Sequence, residues 1–256
     1  MALFRTSLLA IAFLVALPSH ATSVFLVDSP PKFNSEELNV PTLTPYEARY
    51  QTSWRIGWFS FDIDATQRLI KLNDDEWKIE FNASSRPASM TETSTFRLEN
   101  QQLQSLEYRF RSGGMLMEAD RTLLFDWSAQ QIIDQERNTT IDEHWHPKLQ
   151  DNLTYMQQAR LDLANGLEVL EYPVYEKNRT RLLRFERIGE ERLKTAIGVV
   201  DTIKVQQIRS GKRKIYAWFA KDRDYLLVRL SDYDDGKKRS QIDIRSYQPE
   251  TKKATE

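Results

Sequence analysis

The chain has 256 residues, no cysteine and a formal net charge of −1, with 36 Lys and Arg against 37 Asp and Glu. The missing cysteines exclude disulfides, thiolate metal ligands and an acylated cysteine behind a signal sequence. The balanced charge creates no general field that would recruit nucleic acid, so we expect no nucleic-acid partner.

The first 21 residues have the pattern of a cleavable secretory signal. Arg5 precedes an apolar run from Leu8 to Leu17, which is too short to span a bilayer, and Ser19-His20-Ala21 offers small residues for cleavage. Removing this signal leaves a net charge of about −2. We therefore expect a soluble periplasmic protein that is not a lipoprotein and has no transmembrane segment after signal cleavage.

Three further segments follow the signal. Residues 22–45 contain four prolines and no sustained hydrophobic period, which predicts an extended leader. Residues 46–248 form short alternating apolar runs separated by turn-forming clusters, which predicts a single β-rich domain. Residues 249–256 are expected to form a flexible tail. The predicted turns lie at 73–75, 100–101, 112–114, 128–129, 210–211, 222–224 and 234–236.

The strands alternate between apolar and polar side chains, as in Trp77, Ile79 and Phe81 with Lys78 and Glu80 between them. Because alternate residues of a strand point to opposite faces, the sheet should have one dry and one wet face. Such a pattern is typical of antiparallel hairpins that follow one another along the chain.

Residues 149–164 are the one long segment without Gly or Pro whose apolar residues recur at helical spacing. Asp151 is suited to cap the start, and Asn165-Gly166 to end the helix. The fold prediction is therefore mainly β, a strongly curved antiparallel sheet or open barrel-like sheet packed around one central helix. The predicted apolar face consists of Leu149, Leu153, Met156, Leu163 and Ala164.

Arg160 lies near the middle of this apolar helix face. A guanidinium there must reach the rim or find polar partners, because an unpaired buried charge costs several kcal/mol. Two interpretations remain open, a structural ion pair and an anchor for a ligand.

Aromatic side chains are concentrated in the predicted strands. Adjacent pairs such as Trp58-Phe59 and Trp218-Phe219 place a ring on both faces of a strand, so some apolar surface should lie outside the core. These rings either belong to an ordinary sheet core or form a groove for an apolar ligand. The candidate ligand-binding residues are Arg160, Trp218, Trp58 and Tyr108.

Catalytic and metal-binding signals are weak. His144 and His146 share a strand face but lack a third ligand at a recognisable spacing, so we predict no metal and no cofactor. Carboxylate pairs such as Asp62 with Asp64 or Glu190 with Glu191 suit solvated faces and turns as well as a glycosidase. No nucleophile elbow or phosphate loop is present. We predict no catalytic residue.

A basic run covers residues 177–187, and Lys212-Arg213-Lys214 follows across another turn. Interleaved glutamates dilute its charge, which favours a solvated strand face. The alternative is a patch for anionic lipid headgroups or an acidic partner.

Four segments, at 94–110, 150–160, 193–205 and 218–229, together resemble the envelope family catalogued as domain of unknown function 3108. The resemblance covers most of residues 46–247. It implies a periplasmic, mostly antiparallel β protein and no chemistry, and it directs attention to Asp151, Arg160, Gly198 and Trp218. Leu106 and Leu227 depart from the family pattern, where proline is more usual, so less bent strands are expected there.

These observations favour a non-enzymatic protein that binds an apolar or lipid-like ligand in the concave sheet, with Arg160 or the basic run meeting its anionic end. A cavity of roughly 300 Å³ or more beside the helix would support this hypothesis over a scaffold. The alternative is a protein-binding accessory factor for envelope or secretion assembly, which would use an exposed strand edge. A hydrolase acting on envelope polysaccharide is a remote third interpretation.

Overall fold

The structure is a computed structural model in which residues 42–56, 59–86, 88–114, 116 and 118–250 are described, with side chains described outside 53–61. They belong to one compact unit, Pro41–Glu256. The predicted signal and residues 22–41 of the predicted leader lie outside the described residues. The elements are β1 (Tyr46–Ile56), β2 (Phe59–Lys71), β3 (Glu76–Ser85), β4 (Ala88–Glu99), β5 (Gln102–Gly114), β6 (Arg121–Asp126), β7 (Gln131–Asp134), β8 (Thr139–Ile141), α1 (Thr154–Ala164), β9 (Val169–Glu176), β10 (Arg179–Thr195), β11 (Gly198–Ile208), β12 (Lys214–Ala220), β13 (Leu226–Asp234) and β14 (Lys237–Pro249).

All fourteen described strands form one antiparallel sheet. Consecutive strands pair within two meanders, β1–β8 and β9–β14, and the pairing of β1 with β14 joins the meanders side by side. β8 and β9 are therefore the two edges of the sheet, and α1 connects them along the chain. This confirms the predicted mainly-β fold with a single antiparallel sheet and one helix.

The helix is contacted from widely separated parts of the sheet. Gln158 Oε1 accepts the Leu103 N–H from β5 at 2.8 Å, and the Tyr172 hydroxyl of β9 donates to Asp162 at 2.8 Å. Arg160 Nε donates to the carbonyl of Asp224, in the turn between β12 and β13, at 2.9 Å. Because strands far apart in the sheet order meet the same helix, the sheet curves around α1, and we call the helix-facing side the concave face.

The helix begins later than predicted. α1 starts at Thr154, not Leu149, because Gln150 instead pairs in parallel with Val174 of β9 and Asp151 then turns the chain. The prediction of one apolar face is also wrong. Polar side chains such as Thr154, Gln157 and Gln158 are buried, whereas Met156 is only partly buried. Since the sheet surrounds the helix, nearly every side of it is covered.

Several turns carry the left-handed conformations that tight hairpins require. Asn100 and Gln101 have φ of 50° and 64°, and Asp235 and Gly236 have φ of 48° and 75°. Such pairs of positive φ match the twist of the flanking strands. The predicted turn at 112–114 is wrong, because these residues end β5 and pair with β4. Gly113 fits there because a Cβ atom would lie 2.8 Å from Ser89 Oγ.

The predicted alternation is confirmed on the concave face, where Trp77 and Ile79 are buried and Phe81 is partly buried. Bulges bend two of the strands. Leu106 is the extra residue where the β4–β5 register shifts, and Leu227 lies next to the shift between β12 and β13. Both strands therefore carry an irregularity that bends a sheet, although neither position is a proline.

Candidate functional site

The concave face is not completely filled by the helix. Alternation along β3, β4 and β5 places Phe81, Met90 and Phe110 on the same face as the buried Ile79 and Phe96, yet these three remain only partly buried. Ile63 in β2 and Ile242 in β14 lie on the same face in a separate cross-strand row, on either side of Thr52 in β1, and are also partly buried. We call the surface formed by Ile63, Phe81, Met90, Phe110 and Ile242 the concave apolar surface.

A polar group borders this surface. Glu92 lies between Phe81 and Phe110 in the cross-strand register, and its Oε2 accepts a hydrogen bond from the Tyr108 hydroxyl at 2.8 Å. Asn152, just before the helix, donates its side-chain N–H to the same hydroxyl oxygen at 3.1 Å. The group therefore joins two strands to the start of α1.

The environment of Glu92 disfavours its charged form. Burial raises the pKa of Glu92 to about 7, and the nearby carboxyls of Asp151 and Glu118 raise it further, while the Tyr108 hydrogen bond acts in the opposite direction. Burial and the Glu92 charge also raise the pKa of Tyr108 well above its usual value. Close to neutral pH this carboxyl can thus hold or release a proton.

Asp151 lies two residues before Leu153, the N-cap of α1, and holds the turn that leads into the helix. Its Oδ1 accepts the backbone N–H groups of Leu153 and Thr154 at 2.8 and 3.0 Å, and the Thr154 hydroxyl accepts the Asp151 N–H at 2.9 Å. Ser94 of β4 donates to Asp151 Oδ2 at 2.5 Å. Burial raises the pKa of Asp151 despite these hydrogen bonds. Asp151 therefore holds the turn that leads into α1 and ties it to the sheet.

Arg160 has neutral partners in place of the expected carboxylate. Besides the Asp224 carbonyl, Nη1 donates to Gln157 Oε1 at 2.8 Å, and the guanidinium lies 4.9 Å from the centre of the Tyr46 ring. Across the described part of the chain, no carboxylate lies within ion-pair distance of Arg160, which does not support the ion-pair interpretation. Its Nη2 is buried without a hydrogen-bond partner. The structure does not bring Arg160 together with Tyr108, which lies at the opposite end of α1.

Trp218 lies away from the concave apolar surface. It sits in a cross-strand row with Lys204 and Arg229, whose charged ends are 4.8 and 6.0 Å from its ring, and its indole N–H donates to Glu191. Trp218 is buried. Trp58, the remaining aromatic candidate, lies outside the described residues.

Gly198 opens β11 with φ of +111°, a conformation that side chains with a Cβ rarely adopt. The Thr195 hydroxyl donates to the Gly198 carbonyl at 2.8 Å across the hairpin. Gly198 therefore shapes the turn between β10 and β11, in agreement with a structural role.

The two histidines have separate surroundings. His146 Nδ1 accepts the Lys148 N–H at 3.0 Å, whereas the His144 ring lies 6.1 Å from the ring of Tyr175. Among the residues that the structure describes, no three His, Cys, Asp or Glu side chains are grouped to hold a metal ion.

The polysaccharide-hydrolase interpretation gains no enclosed carboxylate pair from the residues considered for it. Those carboxylates, Asp62, Asp64, Glu190 and Glu191, are exposed.

The basic run is neutralised by carboxylates. Arg184 pairs with Glu171 at 2.5 Å, Arg187 with Glu168 at 2.7 Å, and Arg181 with Glu176 at 2.8 Å. Arg184 lies on a solvated strand face and Arg181 is buried, so these pairs do not favour an anion-binding patch.

A second feature is a gap between β5 and the edge strand β9, which do not pair with each other. Among the described strands, none pairs with the outer side of residues 102–106 of β5, because β6 pairs only with Glu107–Phe110. These residues face the edge strand β9. A pocket of about 420 Å³ opens here beside α1. We call it the seam pocket. It is lined by Gln102, Gln158, Asp162, Val169, Glu171 and Tyr172, with Lys148 and Leu167 at its side.

The β9 edge is only partly covered. Gln150 donates its N–H to the Pro173 carbonyl at 2.8 Å and accepts the Tyr175 N–H at 2.9 Å. Because alternate residues of a strand direct their backbone groups the same way, Val169 and Glu171 present theirs to the open edge. Pro173 is tolerated there because a backbone N–H at this position would point to the open edge, so the proline costs no hydrogen bond to β10.

The sequence interpretation missed Glu92, Asn152 and Gln150. A signal for Glu92 was present, since it occupies an inward position between Met90 and Ser94 in the alternation of β4. No local pattern marks Asn152 or Gln150, because their roles depend on strands that are distant in the sequence.

Among the described residues, no helix combines the length and apolar character needed to cross a membrane.

Comparison with known proteins confirms the resemblance inferred from the sequence. The model of the family described as "Protein of unknown function (DUF3108)" matches residues 45–243. No curated protein matches the chain.

The solved structures that are similar to the chain include proteins of two other families of unknown function. A beta-barrel-like protein of domain of unknown function DUF1849 from Brucella abortus has a TM-score of 0.54 and 9% identity, covering 81% of this chain and 98% of that one. A DUF1329 family protein from Desulfovibrio piger has a TM-score of 0.28 and 10% identity, covering 84% of this chain and 89% of that one, and this score is too low to show a shared fold. The first likeness shows the fold alone, and the family match leads to one conclusion: the chain belongs to the DUF3108 family.

Proposed function

We propose that the protein is an exported, non-enzymatic carrier that binds an apolar or lipid-like ligand on the concave face, in the periplasm. The observation that supports this most directly is the concave apolar surface, whose five side chains face the helix side of the sheet but remain partly exposed. Apolar side chains that remain exposed on a concave face often mark a binding site for a ligand or partner. The secretory pattern of the first 21 residues supports the location.

Two buried alanines lie next to this surface. Ala65 and Ala83 lie side by side on β2 and β3, and Met90 is opposite Ala83 on β4. A chain-like ligand that covers Phe81, Met90 and Phe110 would gain about 25 cal/mol for each Å² of apolar surface removed from water. Tyr108, a candidate ligand-binding residue from the sequence, lies at the border of the same surface.

The carrier proposal is tested by placing a bulky side chain on the concave face, where it would compete with a ligand. Ala83→Phe places a ring on the concave face, whereas Asn82→Phe places the same ring on the exposed face of the same strand. We expect Ala83→Phe to weaken binding of a dodecyl-chain ligand at least tenfold and Asn82→Phe to leave it unchanged, as measured by calorimetric titration. Native mass spectrometry of envelope-purified protein should also show a co-purifying lipid.

The proposal fails if the wild type binds no dodecyl-chain ligand and its mass is that of the bare polypeptide. It also fails if both phenylalanine variants bind like the wild type. Met90→Ala, which enlarges the space without adding bulk, provides a second variant in case Ala83→Phe does not fold. We expect it to weaken binding by removing contact area.

A second candidate function is a protein-binding accessory of envelope or secretion assembly. The free backbone groups of Val169 and Glu171 and the adjacent seam pocket support it, because an extended peptide can add to such an edge. The pocket is larger than the roughly 300 Å³ expected of a carrier cavity, but the charged side chains of Lys148, Asp162 and Glu171 in its lining suit a peptide better than an acyl chain. A photo-crosslinker at Val169 should capture one discrete partner, and one at the exposed Val199 should not. Equal capture at both positions would contradict it.

A further inference from the structure

Glu92 is the acidic side chain between Phe81 and Phe110 in the cross-strand row of the concave apolar surface, and Arg121 of β6 follows beyond Phe110 in the same row. Glu92 is flanked directly by Phe81 on β3 and Phe110 on β5, with Met90 two residues away on its own strand. A ligand lying on these three apolar side chains would therefore meet the Glu92 carboxyl. The charge of this carboxyl therefore determines which polar group is favoured at that end of the ligand.

The protein supplies hydrogen bonds to Glu92 but no opposite charge. Tyr108 donates to it from β5, and the two groups that act on it through charge are the carboxyls of Asp151 and Glu118. Within the described ranges, neither Lys nor Arg forms an ion pair with Glu92. The interior Arg181 is paired with Glu176 at 2.8 Å, and the Lys177 charge acts on Glu118.

We propose that the concave apolar surface binds an apolar ligand with a protonated amine, whose ammonium group pairs with the Glu92 carboxylate. This rests on the carrier function proposed above and names its ligand class. An ammonium group compensates the carboxylate that the protein leaves without a cation, while the apolar chain covers Phe81, Met90 and Phe110. An anionic headgroup would instead approach three carboxyl groups and be repelled.

The raised pKa of Glu92, about 7, gives this pairing a pH signature. The carboxyl is mostly protonated below this value and mostly ionised above it, whereas an alkylamine stays protonated across the whole range. The other groups facing Glu92 are Tyr108, whose pKa is raised, and the acidic Asp151 and Glu118. Affinity for the amine should fall about 30-fold between about pH 8 and about pH 5.5, the ratio of the ionised fractions of Glu92.

The experiment compares dodecylamine, dodecanol and dodecanoate by calorimetric titration below their aggregation concentrations. At about pH 8 we expect dodecylamine to bind at least tenfold more tightly than the other two. Glu92→Gln should abolish this preference and the pH dependence while retaining dodecanol binding, which shows that the variant is folded. Glu99→Gln, on the same strand but exposed, should behave like the wild type.

The outcomes separate this inference from the carrier function. Equal binding of all three ligands, tightest binding of dodecanoate, or an amine preference that persists in Glu92→Gln would overturn the amine site and leave the carrier proposal standing. Binding of none of them would overturn both.

Discussion

Gln150 donates its side-chain N–H to the carbonyl of Leu103 at 2.8 Å, and its backbone pairs with the opposite edge of the sheet at Pro173 and Tyr175. One fully buried residue thus joins β5 to β9 across the line where the sheet does not close. Gln158 reinforces this contact by accepting the Leu103 N–H at 2.8 Å. Side-chain amides here replace the neighbouring strand that β5 lacks, which is one way to protect an edge.

Gln150→Met should destabilise the protein by about 1–2 kcal/mol, because it removes a hydrogen bond to a buried carbonyl while keeping a side chain of similar length. Urea denaturation measures the change in the free energy of unfolding. Gln248→Met, at an exposed position of β14, is the matched control and should change stability by less than about 0.5 kcal/mol. Equal stabilities of the two variants would refute a structural role for Gln150.

Asp151→Ala should cost about 2–3 kcal/mol, since the N–H groups of Leu153 and Thr154 lose their acceptor and the buried Ser94 hydroxyl loses its partner. Asp126 provides a matched control. Its Oδ1 accepts two backbone N–H groups in the same way, at 3.0 and 2.9 Å, but at the surface. Asp126→Ala should cost under about 1 kcal/mol by thermal denaturation, because water replaces the lost acceptor. A larger loss for Asp126→Ala would contradict this explanation.

The stability of the protein should fall as pH rises from about 4.5 to about 7. Folding raises the pKa of Glu92 from 4.5 to about 7, so the folded state binds this proton more tightly than the unfolded state does. The associated stability is fully present below about pH 4.5 and is lost once the pH passes about 7, with an upper limit of about 3 kcal/mol.

Glu92→Gln removes this pH-dependent contribution to stability, because the amide does not titrate. The variant should be about 1–3 kcal/mol more stable than the wild type at about pH 8 and nearly as stable as it at about pH 4.5, by chemical denaturation at both values. Comparing the two proteins cancels the titration of other buried carboxyls such as Asp151 and Asp162. A variant that loses stability equally at both pH values would show that Glu92 does not titrate in this window.

Arg160 should matter for stability and not for the ligand. Arg160→Met leaves the Asp224 carbonyl and Gln157 Oε1 without their donor, so we expect a loss of about 1–3 kcal/mol. Arg160 lies six residues after Thr154, the first residue of α1, which is about 9 Å along the helix axis, and Asn152 lies before that first residue. The affinity of Arg160→Met for dodecylamine should therefore stay within about threefold of the wild type. A tenfold loss would instead support Arg160 as a ligand anchor.

Short-range patterns in the sequence predicted the strands, most turns and the single helix. The alternation around Trp77 and Ile79 and the turn at Asn100-Gln101 are local properties, and the structure confirms both. The start of the helix was not predictable in this way, because Gln150 leaves the helical pattern only to pair with β9. The surroundings of Arg160 and Glu92 also depend on pairings between distant strands, which no local period encodes.

The most direct test of the account is to locate the ligand on the molecule. Methyl NMR spectra of the full chain, with Met90, Ile63 and Ile242 labelled, would be recorded during titration with dodecylamine at about pH 8. If dodecylamine binds on the concave face, the chemical shifts of these methyl groups should change saturably, and those of the exposed Ile188 and Ile208 should not change. Changes confined to Ile188 and Ile208, or none at saturating ligand, would contradict binding on the concave face.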